Sequence, residues 1–329
     1  MELPLLFAQL LSPAAHPVWF TVSFVLFFIV RLQRRGWWRP SDCPVDLNGK
    51  TAIVTGANTG IGRYIAQDLA RRNARVILAC RSLERGGRAA QEIRRRTGNN
   101  NVHLRIVDTS SMESVRRFTE QIKSEEKRLD ILVNNAATSG LKPSVSSEGL
   151  EMTVATNHLG PFLLTNLLLD LMKCSQNARI VNVSSMNHRR GEINFQHLKV
   201  EDLPQLQRDA MYNNTKLMNV LFTKELCNQL RHTAVTVNAV HPGVVMSEIM
   251  RNYSLLMRII FNLIGFFFFK SSEEGAVSTI YCALSEEMEG ISGHYIDSDC
   301  SLTLPSLTAR DPALAKKLWD LSELLTGLN

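Results

Sequence analysis

The feature that most constrains this chain is a recurring switch of hydrophobic period. Short runs rich in β-branched residues, TAIVT (51–55), RVILAC (75–80), VHLRIV (102–107), ILVNN (131–135), RIVNVS (179–184) and VTVNAV (235–240), are separated by helical stretches at Ile61–Arg72, Leu83–Arg96, Ser114–Glu126, Leu159–Lys173 and Met211–Leu230. Apolar strands alternating with amphipathic helices predict βαβ units, and hence a parallel sheet covered on both faces. Right-handed crossovers then wind that sheet doubly. The 329 residues show no internal repeat and no long linker, so one α/β domain over 45–329 is expected behind a short N-terminal segment, 1–40. Apolar residues make up 45% of the chain, which excludes wholesale disorder.

That N-terminal segment predicts a membrane anchor. Ala14–Val30 carries no formal charge and is followed by RLQRRGWWRP. As a helix it reaches roughly 26 Å, close to the hydrocarbon core of a thin bilayer. Trp37 and Trp38 are candidate interfacial anchors. A cleaved signal peptide would place its basic residues before the apolar run and small residues after it. Here Arg31, Arg34, Arg35 and Arg39 come after, which favours an uncleaved anchor with the bulk of the chain in the cytosol. Much of the net charge of +6 is this local cluster, so no nucleic-acid partner is expected. The six cysteines include no Cys-x-x-Cys pair and no accompanying His cluster, so neither a metal site nor a disulfide framework is expected.

Between the first strand and the first helix lies Thr55-Gly56-Ala57-Asn58-Thr59-Gly60-Ile61-Gly62. Glycines there permit a tight turn and close backbone approach, and a helix N-terminus offers free N–H groups to a pyrophosphate. Sites for NAD usually carry an acidic residue near the end of the second strand. Here that strand ends Ala79-Cys80-Arg81-Ser82, and the Arg81 guanidinium suits a 2′-phosphate instead. NADP(H) is therefore the expected cofactor, with Arg63 a second candidate for the phosphate. Further on, Tyr212 and Lys216 stand at i and i+4 of a helix and share a face. An ammonium there favours the phenolate and is expected to lower the Tyr212 pKa. Ser185, after the fifth strand, can hydrogen-bond a carbonyl oxygen.

These residues together resemble the short-chain dehydrogenase/reductase family from about Gly49 to the C-terminal region. The resemblance rests on TGANTGIG (55–62), Asp108, NNA (134–136), Asn157 in TNHLG, NVSS (182–185), YNNTK (212–216) and HPGVV (241–245). Its membrane-bound retinol dehydrogenase-like branch is similar also in ACR (79–81), NHLGPFLLTNLLL (157–169) and KLMNVLFTKEL (216–226). The resemblance implies a Rossmann fold in which Gly56, Asn58, Thr59, Gly60, Ile61 and Gly62 bind the cofactor. It implies Tyr212 as general acid/base, Lys216 on the nicotinamide ribose, and Ser185, rather than Ser184, on the carbonyl. Asn157 would support a water-linked proton relay to Lys216; the lesser alternative is that it simply caps or kinks its helix. Asp108 and Asn135 would sit around the adenosine, the Val245 main chain at the carboxamide, and Ser247 where Thr is usual. His158, His188 and His241 read as packing or surface residues rather than ligands. Two departures stand out: Ala137 replaces the usual Gly after Asn-Asn-Ala, and Thr109 replaces a usual Leu.

Leu255–Phe269 is far more apolar than a solvated lid requires. It predicts an interfacial helix or an apolar pocket wall, hence a lipophilic substrate drawn from a bilayer. Retinal and retinol are the first expectation, with steroids, polyprenals or long-chain aldehydes as alternatives. An inactive cofactor-binding scaffold, favoured only by Ala137, is the rival from another class. The resemblance adds the endoplasmic reticulum as the expected membrane.

Overall fold

The computed structural model describes residues 16–33, 38–195 and 208–328. Its strands are β1 (Thr51–Thr55), β2 (Arg75–Cys80), β3 (Val102–Ile106), β4 (Ile131–Asn134), β5 (Arg179–Val183), β6 (Thr236–Val240), β7 (Tyr295–Ile296) and β8 (Leu302–Thr303). They form one sheet in the order β3-β2-β1-β4-β5-β6-β7-β8. The pairs from β3 to β7 are parallel, and β8 closes the edge antiparallel to β7. This is the Rossmann arrangement, with the strand order reversing between β1 and β4.

Alternation along each strand sends neighbouring side chains to opposite faces. Ala52 and Val54 of β1 join one core with Ile65 and Leu69 of α2 (Gly60–Arg71), Ile93 of α3 (Leu83–Thr97) and Ile280 of α8 (Ser272–Leu284). Ile53 faces the other core, built from α4 (Met112–Glu125), α5 (Gly160–Lys173), α6 (Arg208–Gln229) and α9 (Pro312–Thr326). Phe162, Phe222 and Trp319 meet there, with the Phe162–Trp319 centroids 4.9 Å apart. Each such side chain, fully buried, stabilises by roughly 1.5–3 kcal/mol. Ser82 and Ser111 cap α3 and α4 by accepting from Arg85 N and Ser114 N, and Gly98 ends α3 in the left-handed conformation.

Two helices stand apart from these cores. α1 (His16–Gln33) lies alongside α7 (Leu255–Phe268). Among the described residues no helix is long and apolar enough to cross a membrane. Residues 1–15, which include the first part of the expected anchor, lie outside the described ones, as does Trp37. Trp38 is not a free interfacial anchor: its ring packs edge-on against Tyr281 at 5.4 Å. Arg72 binds the carbonyls of Pro40 and Cys43 at 2.6 and 2.7 Å, tying this stretch to α2.

Candidate active site

Where the strand order reverses, the C-terminal ends of β1, β4 and β5 open into a cleft of about 510 Å³. Its floor is the turn from Thr55 to Gly62. The Thr55 hydroxyl accepts from the N–H groups of Asn135 and Ala136, both at 2.9 Å. Asn135 in turn donates its side-chain amide to Thr55 O at 2.8 Å. Gly56 and Gly60 adopt φ of +66° and +55°. A Cβ at Gly62 would lie 2.4 Å from Asn135 Nδ2 and 2.7 Å from Gly56 O, so only glycine fits. Thr59 is the N-cap of α2 but makes no capping bond; its hydroxyl turns to Glu248. The first-turn N–H groups of α2 therefore have no side-chain cap beside a glycine cradle. These residues fit a dinucleotide's pyrophosphate.

At one end of the cleft Arg81 is largely exposed and reaches Asp108 at 3.8 Å. Asp108 is held by the N–H and hydroxyl of Ser110 at 3.0 and 2.7 Å. Two further arginines that the sequence reading missed, Arg85 and Arg251, line the same end. Arg85 is paired with Glu248. A signal for Arg85 existed, since it stands in the first turn of the helix that opens directly after Arg81. Arg251 comes from a distant segment and had none. Arg63, the second candidate for the phosphate, instead pairs with Glu92 at 2.9 Å, because its position on α2 directs it toward α3.

The other end holds Ser185, Tyr212 and Lys216. Ser185 follows β5 and hydrogen-bonds the Tyr212 phenol. The Ser184 hydroxyl instead donates to Lys216 O at 2.8 Å. Lys216 is buried, with Nζ donating to Val183 O at 2.9 Å and lying 5.5 Å from the Tyr212 ring centroid. Burial pushes the Lys216 pKa down to about 8. Burial also pushes Tyr212 up to about 12, against the hydrogen bond from Ser185. The shift is opposite to the downward one expected from the nearby ammonium: loss of water around the phenol outweighs the bond from Ser185, and the Lys216 ammonium is turned to Val183 O.

Asn157 does not reach Lys216 directly. It sits in a π-helical stretch, Ala155–Leu159, that leads into α5. Its side chain accepts from Thr138 N at 2.8 Å, donates to Thr138 O at 2.9 Å and reaches Thr215 Oγ1 at 3.1 Å. It thereby ties the loop after β4 to the helix carrying Tyr212 and Lys216. His241 accepts from Met186 N at 3.1 Å, while His158 is in the core against Phe162 and Phe222. His188, fully buried, accepts from Ser306 N at 3.1 Å.

Val245 and Ser247 close the cleft from the far side. Val245 bridges to Lys270, and Ser247 lies beside Gly60, whose Cβ would be 3.6 Å from Ser247 Cβ. Beyond them α7 exposes Leu256, Leu263, Phe266 and Phe267, and only Gly265 of the helix is buried. Ala137 lines the cleft without backbone strain: among the described residues the non-glycine positions at positive φ are Asn73 and Cys300.

Residues 50–255 match the family described as short chain dehydrogenase. Retinol dehydrogenase 11 of Mus musculus is 46% identical over 86% of this chain and 88% of its own. Retinol dehydrogenase 12 of Homo sapiens is 46% identical over 94% and 96%, and human retinol dehydrogenase 14 is 40% identical over 98% of each. Among solved structures, an uncharacterised protein of Mycobacterium paratuberculosis superposes with a TM-score of 0.70 at 32% identity, covering 89% of this chain and 98% of that one. L-Sorbose reductase of Gluconobacter frateurii, solved with NADPH and L-sorbose, shares the fold with a TM-score of 0.61 at 24% identity, covering 79% and 99%.

Proposed function

The chain belongs to the short-chain dehydrogenase family, and from that premise we propose that it is an NADP(H)-dependent oxidoreductase interconverting lipophilic alcohols and carbonyls, retinol and retinal first among them. The observation that carries this reading is the convergence of Ser185, Tyr212 and Lys216 on the same cleft as the uncapped glycine turn. When bound, the dinucleotide supplies a hydride donor or acceptor at its nicotinamide ring. Ser185 orients the substrate oxygen by hydrogen bonding. Tyr212 gives a proton to that oxygen in reduction and takes it back in oxidation. Its raised pKa keeps the phenol protonated at neutral pH, which suits the reductive direction. Lys216 holds the ribose, and Asn157 positions the Tyr–Lys helix through Thr215. Arg81 takes the 2′-phosphate, with Asp108 and Asn135 around the adenosine, the Val245 main chain at the carboxamide and Ser247 against the glycine turn.

The substrate class follows from α7. A run of exposed Leu, Ile and Phe beside the cleft needs either an apolar ligand or a lipid surface to cover it. The 40–46% identity to proteins named retinol dehydrogenase supports a retinoid over a steroid, polyprenal or long-chain aldehyde. α1 and α7 together, with the arginine-rich stretch after α1, dock the enzyme on a membrane. That membrane is the endoplasmic reticulum, with the 45–329 domain on the cytosolic side. The rival scaffold reading loses its support, because Ala137 adopts an unstrained φ.

Purified protein incubated with NADPH and all-trans-retinal in detergent is expected to form retinol. Tyr212→Phe should lower the rate on the order of 10²–10⁴ while leaving NADPH binding intact. Full activity of Tyr212→Phe would remove the phenol from the chemistry, and no turnover by wild type across a retinoid panel would end the substrate assignment.

A further inference from the structure

Between the cofactor cleft and α7 runs a connector, the 3₁₀ turn Glu248–Asn252, which is fixed at both ends. At its start the Glu248 carboxylate accepts from Arg85 and from the Thr59 hydroxyl. At its end Asn252 donates to Ser139 O at 2.7 Å, and the Tyr253 hydroxyl meets Ser139 Oγ at 2.9 Å. The Tyr253 ring covers Gly140 so closely that a Cβ there would lie 2.5 Å from it. Arg251 is thereby held at the mouth of the cleft, at the same end as Arg81 and Arg85. Among the described residues Arg251 makes no ion pair. Burial and the field of Arg81, with a smaller push from Arg85, drive its guanidinium below the usual range, against the pull of Glu248. Glu248, by contrast, is held below the usual carboxylate range: burial opposes ionisation, but the bonds from Arg85 and Thr59 prevail. Three guanidinium groups thus share this corner with two carboxylates, Asp108 and Glu248, and positive charge is left over.

We propose that Arg85 and Arg251 join Arg81 in holding the adenosine 2′-phosphate of NADP(H), with Glu248 occupying Arg85 until that phosphate arrives. The inference rests on the NADP(H) reading above and extends it to residues of the connector. A phosphate dianion matches guanidinium forks better than one carboxylate does, so it relieves the repulsion among the arginines. Glu248 then acts as a built-in competitor that lowers affinity for the phosphorylated dinucleotide and, once displaced, leaves the arginines to discriminate against a bare 2′-hydroxyl. Because the connector leads directly into α7, the phosphate also ties down the segment from which the apolar helix springs.

The test is the dissociation constant of the full-length protein for NADPH and for NADH, measured by quenching of protein fluorescence without substrate. Arg251→Ala and Arg85→Ala should each weaken NADPH roughly tenfold to a hundredfold while leaving NADH within about twofold, which also shows that each variant is folded. Glu248→Gln should tighten NADPH and leave NADH unchanged. Equal weakening of both cofactors by Arg251→Ala, or no change in either, would overturn the proposal while wild type still prefers NADPH. A wild type with no preference for NADPH would instead overturn the cofactor reading itself.

Discussion

At the scale of single residues, burial decides the electrostatics. Lys216 has its pKa lowered from the usual 10.5 to about 8 because its ammonium sits where water cannot follow. Below pH 8 both the folded and unfolded chains carry the proton, and the buried charge costs about 3 kcal/mol. Between about 8 and 10.5 the unfolded chain still binds that proton while the folded one releases it, so this residue's contribution to stability rises with pH. Lys216→Met should therefore be more stable than wild type at pH 7, in the absence of cofactor, by up to about 3 kcal/mol. The gap should close as pH approaches 10, as read from urea denaturation of both proteins at the two pH values. A gap that stayed constant would mean the ammonium is already solvated. The same reasoning explains why the spacing of Tyr212 and Lys216 was legible while their pKa values were not. An i, i+4 pair announces proximity, but the extent of desolvation depends on β5 and the loop after β4, which close over the pair from far away in the chain.

At the scale of elements, the glycine turn shows how local pattern and long-range packing divide the work. Its place between β1 and α2 was readable from the switch of period at Thr55, and the strands at 51–55 and 75–80 stand where the β-branched runs put them. Other elements left fainter marks. β7 and β8 are two residues each, too short to show alternation. α8 opens on a capping box formed by Ser271 and Glu274, a sequence signal that went unread. The π stretch before α5 ends at Gly160, which presses so closely on Thr109 that a Cβ would lie 1.9 Å from its carbonyl oxygen. A pair of substitutions separates the packing role of glycine from its entropic cost. Gly62→Ala forces a methyl against the Gly56 carbonyl, so it should destabilise by about 1–3 kcal/mol and abolish cofactor binding. Gly87→Ala, on an exposed face of α3 with nothing within 4 Å of its Cβ, should stabilise by about 0.5–1 kcal/mol. Thermal denaturation reads both, and shifts in the same direction would mean that close packing at Gly62 does not set it apart from an exposed helical glycine.

At the scale of the whole molecule, the apolar surface is lopsided. The sheet and its flanking helices bury their side chains in two cores, whereas α7 leaves Phe266 72% and Leu255 70% exposed and lies against α1. Only Arg258 and Asn262 interrupt the apolar character of α7. If α1 and α7 share one lipid surface, neither alone accounts for the attachment. Each Leu or Phe side chain moved from water into acyl chains contributes roughly 1.5–3 kcal/mol. Four such residues on α7 would therefore hold the protein reversibly even without the N-terminal segment. Removing residues 1–37 should weaken co-sedimentation with phosphatidylcholine vesicles yet leave a measurable bound fraction. Adding Leu263→Glu and Phe266→Glu to that truncated protein should release it, since each carboxylate loses hydration on entering the interface. NADPH affinity should stay unchanged throughout, because neither residue lines the cleft. Complete release on truncation alone would confine the attachment to α1 and leave the exposed face of α7 to a partner other than lipid.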